Sequence, residues 1–187
     1  MLELTAGLAL FFAAHTFSMF RDARASLVAR LGALPYRGLY SLVSLAGFAL
    51  IVHGYAHAPR IDVWLPPVAL RHVTMLLMLP VFVLLAAAYV PGHIKARLGN
   101  PMLLALKTWA LAHLLINGDL ASMLLFGAFL GFAVVDLMAV KRSGRSSVVE
   151  QPRALFDVLA VAVGLIIYGA FIMGLHRALV GVPVISG

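Results

Sequence analysis

The chain has 187 residues, of which 63% are hydrophobic and 11% are charged, whereas a soluble domain has about 45–50% apolar and about 25% charged residues. This composition, with a mean hydropathy of +1.03, excludes a soluble globular protein and predicts a chain whose solvent is lipid. The net charge of +7 therefore does not indicate a nucleic-acid partner, and the absence of cysteine excludes a disulfide framework, a thiolate metal site and a cysteine nucleophile.

Uncharged apolar runs divide the chain into segments long enough to cross a bilayer, which takes about 20 mostly apolar residues. A weaker run is interrupted by Lys107, but Pro101 suits the first turn of a helix and the residues that follow it are apolar. The sequence therefore predicts an all-α fold, a polytopic integral membrane bundle of six transmembrane helices, at about residues 3–20, 38–57, 72–92, 101–117, 119–140 and 155–177.

The positions of lysine and arginine predict how these helices are oriented, because cytoplasmic loops carry an excess of both. Loops one, three and five hold all of the 14 basic residues except Arg60, Arg71 and Arg177. Both termini are therefore expected outside, in a single transmembrane domain over residues 1–187 with a cytoplasmic polar linker at 141–153. The first apolar run follows no positive leader and precedes no clear cleavage site, so we expect it to be retained.

Loop one combines arginines with leucine and valine at near-helical spacing. We expect this loop to lie along the cytoplasmic membrane surface. Either its basic residues are attracted to anionic lipid headgroups, at about 1 kcal/mol per charge, or Arg30 or Arg37 binds an acidic group of a cofactor.

Two of the seven histidines, His15 and His113, lie inside predicted helices among apolar neighbours. An ionisable group at membrane depth is expensive, so each is either a structural hydrogen-bonding residue or a ligand. Trp109, His113 and Asn117 are spaced by four residues and form one helix stripe, on which Asn117 is in position to orient the imidazole. Two such histidines on separate helices, without a carboxylate cluster, favour bis-histidine haem over zinc.

The other polar residues have simpler interpretations. Arg37 either anchors helix 2 at the interface or pairs with a haem propionate, and Lys107 either snorkels or does the same from helix 4. Asp119 is expected to cap helix 5. Gly127 and Gly131, four residues apart, predict that helix 5 packs closely inside the bundle or, alternatively, forms a dimer contact. Near helix ends a hydrated or carbonyl-bonded imidazole costs little, which is expected of His53, His57, His72, His93 and His176.

Three segments carry a resemblance to a known family: residues 10–15 (LFFAAH), 36–42 (YRGLYSL) and 109–119 (WALAHLLINGD). They resemble the NnrU family, relatives of the plastid zeta-carotene isomerase. On the NnrU side the resemblance implies a multi-pass protein of the bacterial inner membrane, tied to nitric oxide and nitrite metabolism in denitrifying bacteria. On the isomerase side it implies haem b held by His15 and His113 and a cis–trans rearrangement of a polyene. Family members often carry Arg-His-Pro where this chain has Gly99, Asn100 and Pro101.

The leading expectation is a haem b-binding membrane protein whose bis-histidine iron serves redox-gated chemistry, with Arg37, Lys107, Trp109 and Asn117 beside the cofactor. The ligand is then a polyene-like lipid or a small gas, and a redox partner is implied. Whether the protein is an enzyme stays open. The alternative is a cofactor-free membrane carrier or assembly factor for denitrification, and a more distant one is a membrane methyltransferase of the isoprenylcysteine type.

The two candidate ligands have different predicted depths. His15 lies about 12 residues, or about 18 Å, from the outer end of helix 1, whereas His113 lies about four residues, or about 6 Å, from the outer end of helix 4. Two ligands of one iron lie at similar depth. Either helix 1 extends past Arg21 and is shifted outward, or helix 4 lies deeper than its loop suggests, or one of the ligands is wrong.

Overall fold

The computed structural model describes residues 1–144 and 149–184. Within them the chain has no β-strand and one isolated bridge, between Asp62 and Asp119. The predicted all-α class is therefore confirmed. The α-helices are α1 (Leu2–Phe17), α2 (Arg21–Leu31), α3 (Ala33–Ala56), α4 (Leu70–Ala87), α5 (His93–Leu98), α6 (Pro101–Leu114), α7 (Leu120–Arg142), α8 (Ala154–Ala170) and α9 (His176–Val180), with a π-helical stretch at Phe171–Leu175.

Among the described residues, four helices are long and apolar enough to cross a membrane: Ala33–Ala56, Leu70–Ala87, Leu120–Arg142 and Ala154–Val180. A fifth span results if α1 and α2 count as one broken helix. α1 alone has 16 residues and α6 has 14, about 24 Å and about 21 Å of helix, against a hydrocarbon core of about 30 Å. The chain is thus a helical membrane protein with four to five candidate spans, and both histidine-bearing helices are short.

The chain bends by 90° between α1 and α2. α1 ends at Phe17, and Phe20 then adopts extended backbone angles of φ −82° and ψ 91°, which interrupt the helix. Gly32 ends α2 with φ +87°, a conformation that favours glycine. Loop one is therefore largely helical and perpendicular to α1, and the option that helix 1 continues past Arg21 is wrong.

Two compact units divide the chain, the first comprising Met1–Pro66 and Asn117–Phe132. In this unit α1 packs against α3, and glycines permit their close approach. A Cβ at Gly7 would lie 2.6 Å from the backbone nitrogen of Ile51, and a Cβ at Gly47 would lie 2.8 Å from that of Phe11. The buried core beside these contacts is Leu4, Leu8, Ile51 and Ala121.

The turn before α7 belongs to the same unit and is tied to the segment that follows α3. The carbonyl oxygen of Gly118 accepts hydrogen bonds from the backbone N–H groups of Val63 (2.8 Å) and Trp64 (3.1 Å). Asp119 Oδ1 accepts from the backbone N–H of Ser122, in the first turn of α7, at 2.9 Å. The predicted cap by Asp119 is therefore confirmed.

The second unit comprises Pro67–Ile116 and the described residues from Ala133 onward. α4 packs here against α6 and α8. The buried Thr74 donates from Oγ1 to the carbonyl oxygen of Ala112 on α6 at 2.9 Å, and the hydroxyl of Tyr168 on α8 donates to the carbonyl of Met75 at 3.0 Å. After α8 the π-helical stretch contains Gly174, whose φ of 150° marks a kink in the last predicted helix.

α6 begins as predicted and ends earlier. Pro101 occupies its first turn, and Asn100 Oδ1 caps the helix by accepting from the backbone N–H of Leu103 at 3.2 Å. The helix ends at Leu114 instead of at about residue 117. The predicted polar linker at 141–153 includes residues 145–148, which lie outside the described part of the chain.

Candidate functional site

His15 lies in the last turn of α1 and is half-buried. Its Nδ1 is 2.8 Å from the carbonyl oxygen of Phe11, one turn earlier. Because a carbonyl oxygen only accepts, Nδ1 carries the proton of the neutral imidazole and Nε2 carries the lone pair. Within residues 1–144 and 149–184, His15 makes no second side-chain hydrogen bond, so its Nε2 is available to a ligand.

Aromatic rings surround the His15 imidazole within the first unit. Phe11 stacks on it with ring centroids 4.0 Å apart and an interplanar angle of 24°. The Tyr40 ring, from α3, lies 5.5 Å away, and the Phe132 ring meets the imidazole edge-on at 6.0 Å. These apolar faces restrict the imidazole and offer it few polar partners that would compete with a ligand.

His113 lies one residue before the end of α6 and is also half-buried. Its Nδ1 is 2.9 Å from the carbonyl oxygen of Trp109, so the neutral imidazole has the same tautomer as that of His15. The Trp109 ring lies 5.2 Å from the imidazole, centroid to centroid. The hydrogen bond from Thr74 to Ala112 holds the residue next to His113.

The structure groups only some of the residues that the sequence predicted to lie together. Trp109 and His113 are in contact in the second unit, whereas His15 and Asn117 belong to the first. Because α6 ends at Leu114, Asn117 follows the helix and does not continue its stripe. The predicted helical stripe is therefore wrong, and a role of Asn117 in orienting His113 stays a prediction.

The two basic candidates differ in exposure. Arg37 is exposed near the start of α3, and Lys107 is half-buried in the middle of α6. Neither forms an ion pair in the described chain, where the ion pairs are His53–Glu3, Arg60–Asp62 and His93–Asp157. Both side chains therefore carry charge that no described carboxylate neutralises.

A polar contact that sequence analysis missed joins α5 to α8 in the second unit. Asp157 Oδ2 accepts from Nδ1 (2.8 Å) and from the backbone N–H (2.9 Å) of His93, and Oδ1 accepts from the backbone N–H of Ile94 at 2.8 Å. The expectation of a hydrated or carbonyl-bonded imidazole is thus wrong for His93 and confirmed for His57 and His176. The position of Asp157 in the first turn of α8 is visible in the sequence, because acidic residues favour helix N-termini. Its partner His93 is not predictable in this way, because it lies 64 residues away in the chain.

The imidazoles of His15 and His113 each have the tautomer that suits a haem ligand. No group of three or more His, Asp or Glu side chains able to hold a metal ion occurs in residues 1–144 and 149–184. Haem needs fewer ligands from the protein than a bare metal ion, because the porphyrin supplies four nitrogens and the protein adds one or two side chains, commonly histidine. In both histidines a backbone carbonyl holds the Nδ1 proton, the usual arrangement of a ligating imidazole.

Comparison of the sequence with known proteins identifies the family of the chain. A family model described as NnrU protein matches residues 3–184, nearly the whole chain. No curated protein matches the chain, and no solved structure does. The resemblance that the three sequence segments carry is therefore confirmed.

Proposed function

The chain belongs to the NnrU family, and on that premise we propose that it is a haem b-binding protein of the bacterial inner membrane whose iron is held by His15 and His113. The short helices α1 and α6 then cross the membrane together with the four long spans, which makes six crossings. Both termini lie outside, so that the basic loops one, three and five face the cytoplasm.

The observation that carries this proposal is that the two histidines have the same burial, the same tautomer and a neighbouring aromatic ring. Each is half-buried, each has an aromatic ring beside it, and each donates its Nδ1 proton to the carbonyl four residues earlier. His57 makes the same carbonyl hydrogen bond but is exposed at the end of α3. Burial together with the fixed tautomer therefore distinguishes the two proposed ligands from His57.

Bound haem would supply an iron that changes its oxidation state and exchanges an axial ligand. This chain's residues hold the group: His15 and His113 ligate it, Phe11 and Trp109 restrict the two imidazoles, and Arg37 and Lys107 offer cations for its propionates. Redox-gated cis–trans isomerisation of a polyene-like lipid, or a step in nitric oxide or nitrite metabolism, is the function proposed for this site.

The test is the absorption spectrum of the purified chain, oxidised and dithionite-reduced. We expect a sharp reduced α-band in the wild type, its loss in both His15→Ala and His113→Ala, and its retention in the matched control His57→Ala. A colourless wild type, expressed with ample haem, would overturn the proposal and favour a cofactor-free carrier or assembly factor. Retention of the band in either ligand variant would show that the residue is not an axial ligand.

A second measurement addresses gating. If His15 and His113 both hold the group, a gas would have to compete with one of them, so nitric oxide added anaerobically is expected to change the spectrum in one oxidation state and not in the other. Identical spectra before and after the addition, in both states, would contradict ligand exchange at this site.

A further inference from the structure

A cleft in the first unit lies beside the bend between α1 and α2; we refer to it as the bend cleft. Its volume is about 130 Å³ and its lining is apolar. A cavity with such walls stays dry and accepts apolar groups. The side chains that form its walls come from three helices: Ala14 and Phe17 of α1, Leu27 of α2, and Tyr36, Tyr40 and Val43 of α3.

Tyr36 lines the bend cleft with its ring and not with its hydroxyl. The residue is 8% exposed, and its hydroxyl is buried without a hydrogen-bond partner in the described chain. A buried hydroxyl that has lost its water and gained no partner is costly. The part of Tyr36 that faces the cleft is therefore its apolar ring.

The edge of the bend cleft is cationic. The Arg24 guanidinium lies 5.9 Å from the centroid of the Tyr36 ring, within cation–π range. Arg21 precedes Arg24 by three residues and Leu27 follows it by three, so the three side chains project from one side of α2. Neither arginine is ion-paired in the ranges that the structure covers. An apolar wall with a cationic edge is complementary to an anionic amphiphile.

We propose that the bend cleft binds one anionic phospholipid of the surrounding bilayer. An acyl chain packs against Phe17 and Val43, and the phosphate lies between Arg21 and Arg24. The perpendicular course of α2 suits this assignment, because a helix that turns from the bilayer normal into the membrane plane brings its arginines to the level of the headgroups. The proposal does not depend on haem.

The test uses the full chain, purified in neutral detergent and stripped of lipid, with bound lipid counted by native mass spectrometry. Phosphatidylglycerol is expected to bind with a stoichiometry of one and at least about tenfold more tightly than phosphatidylcholine, because two guanidinium groups meet its net charge. Inorganic phosphate should leave the protein unchanged and should not compete. Equal binding of the two lipids would overturn the charge argument, and competition by phosphate would indicate a free-anion site instead of a lipid site.

Matched variants separate the two parts of the site, its cationic edge and its apolar wall. Arg24→Gln should lower phosphatidylglycerol affinity about tenfold, whereas Arg60→Gln, on an exposed arginine of the same unit, should not. Val43→Phe fills the cleft and should weaken both lipids, whereas Val52→Phe, at a residue of α3 that is 53% exposed, should weaken neither. Wild-type affinity in both Arg24→Gln and Val43→Phe would overturn the proposal.

Discussion

Thr74 Oγ1 donates a 2.9 Å hydrogen bond to the carbonyl oxygen of Ala112, the residue that precedes His113. Carbonyls in the last turn of a helix lack an intrahelical partner, so a side chain of α4 satisfies one of the final carbonyls of α6. Thr74 is 5% exposed, and the bond is therefore shielded from competing water. Through it α4 positions the turn of α6 that carries His113.

Replacement of Thr74 by valine is expected to lower the free energy of unfolding by about 1–3 kcal/mol, because the Ala112 carbonyl stays buried and loses its donor. Thr74→Ser keeps the hydroxyl and should lose less. Thermal unfolding in detergent measures the effect, and Thr5→Val, on an exposed residue of α1, is the control. Identical stability of Thr74→Val and wild type would show that the carbonyl finds another donor.

Asp157→Asn is expected to destabilise the attachment of α5 to α8. The charged carboxylate accepts from two backbone N–H groups and from the His93 imidazole, and charge-assisted bonds are stronger than neutral ones. An amide keeps one oxygen acceptor and loses the charge, so the variant is expected to be less stable than the wild type. Urea unfolding in detergent, with Asp22→Asn on the exposed face of α2 as control, tests this. Equal losses in the two variants would contradict a specific cap.

Gly47→Ala is expected to separate α1 from α3, because the added Cβ would lie 2.8 Å from the backbone nitrogen of Phe11 and backbone cannot move aside as a flexible side chain does. Overpacking of this kind costs about 1–3 kcal/mol. Gly127→Ala is the control, since no described atom lies within 4 Å of a Cβ there or at Gly131. The close packing inside the bundle that the Gly127 and Gly131 pattern predicted is therefore not found among the described residues, and the dimer alternative stays a prediction.

The same pair of variants has a second readout under the proposed function. Phe11 stacks on the His15 imidazole and its carbonyl holds the Nδ1 proton, so Gly47→Ala should also lower haem content relative to Gly127→Ala. Comparison of the absorbance of the reduced α-band per mole of protein measures this. Unchanged haem content in a destabilised Gly47→Ala protein would show that haem binding by His15 does not depend on the packing of α1 against α3.

Asn100→Ala is expected to destabilise α6 by about 1 kcal/mol, because the backbone N–H of Leu103 loses its cap. Asn100→Asp retains an acceptor oxygen at the same position and should keep most of the stability. Thermal unfolding of the three proteins in one detergent makes the comparison. Lower stability of the aspartate variant than of the alanine variant would contradict the capping role of Asn100.

Local features of the helices were predictable from the sequence. The apolar runs, Pro101 in the first turn of α6 and Asp119 as the cap of α7 all depend on interactions within a few residues. His15 and His113 stood out because an imidazole among apolar neighbours is rare at membrane depth. Hydropathy alone did not reveal where α1 stops, since the residues around its end are as apolar as those within it.

By itself, the sequence determined the all-helical membrane class, the family and the two histidines, because hydrophobicity and capping act over a turn or a few turns of helix. Only the tertiary structure decided the 90° bend after α1, the end of α6 before Asn117, and the contact of Asp157 with His93. It also left the hydroxyl of Tyr36 without a partner beside an apolar cleft. These features depend on side chains that are distant in sequence and meet only when the helices pack, and no local pattern encodes such a meeting.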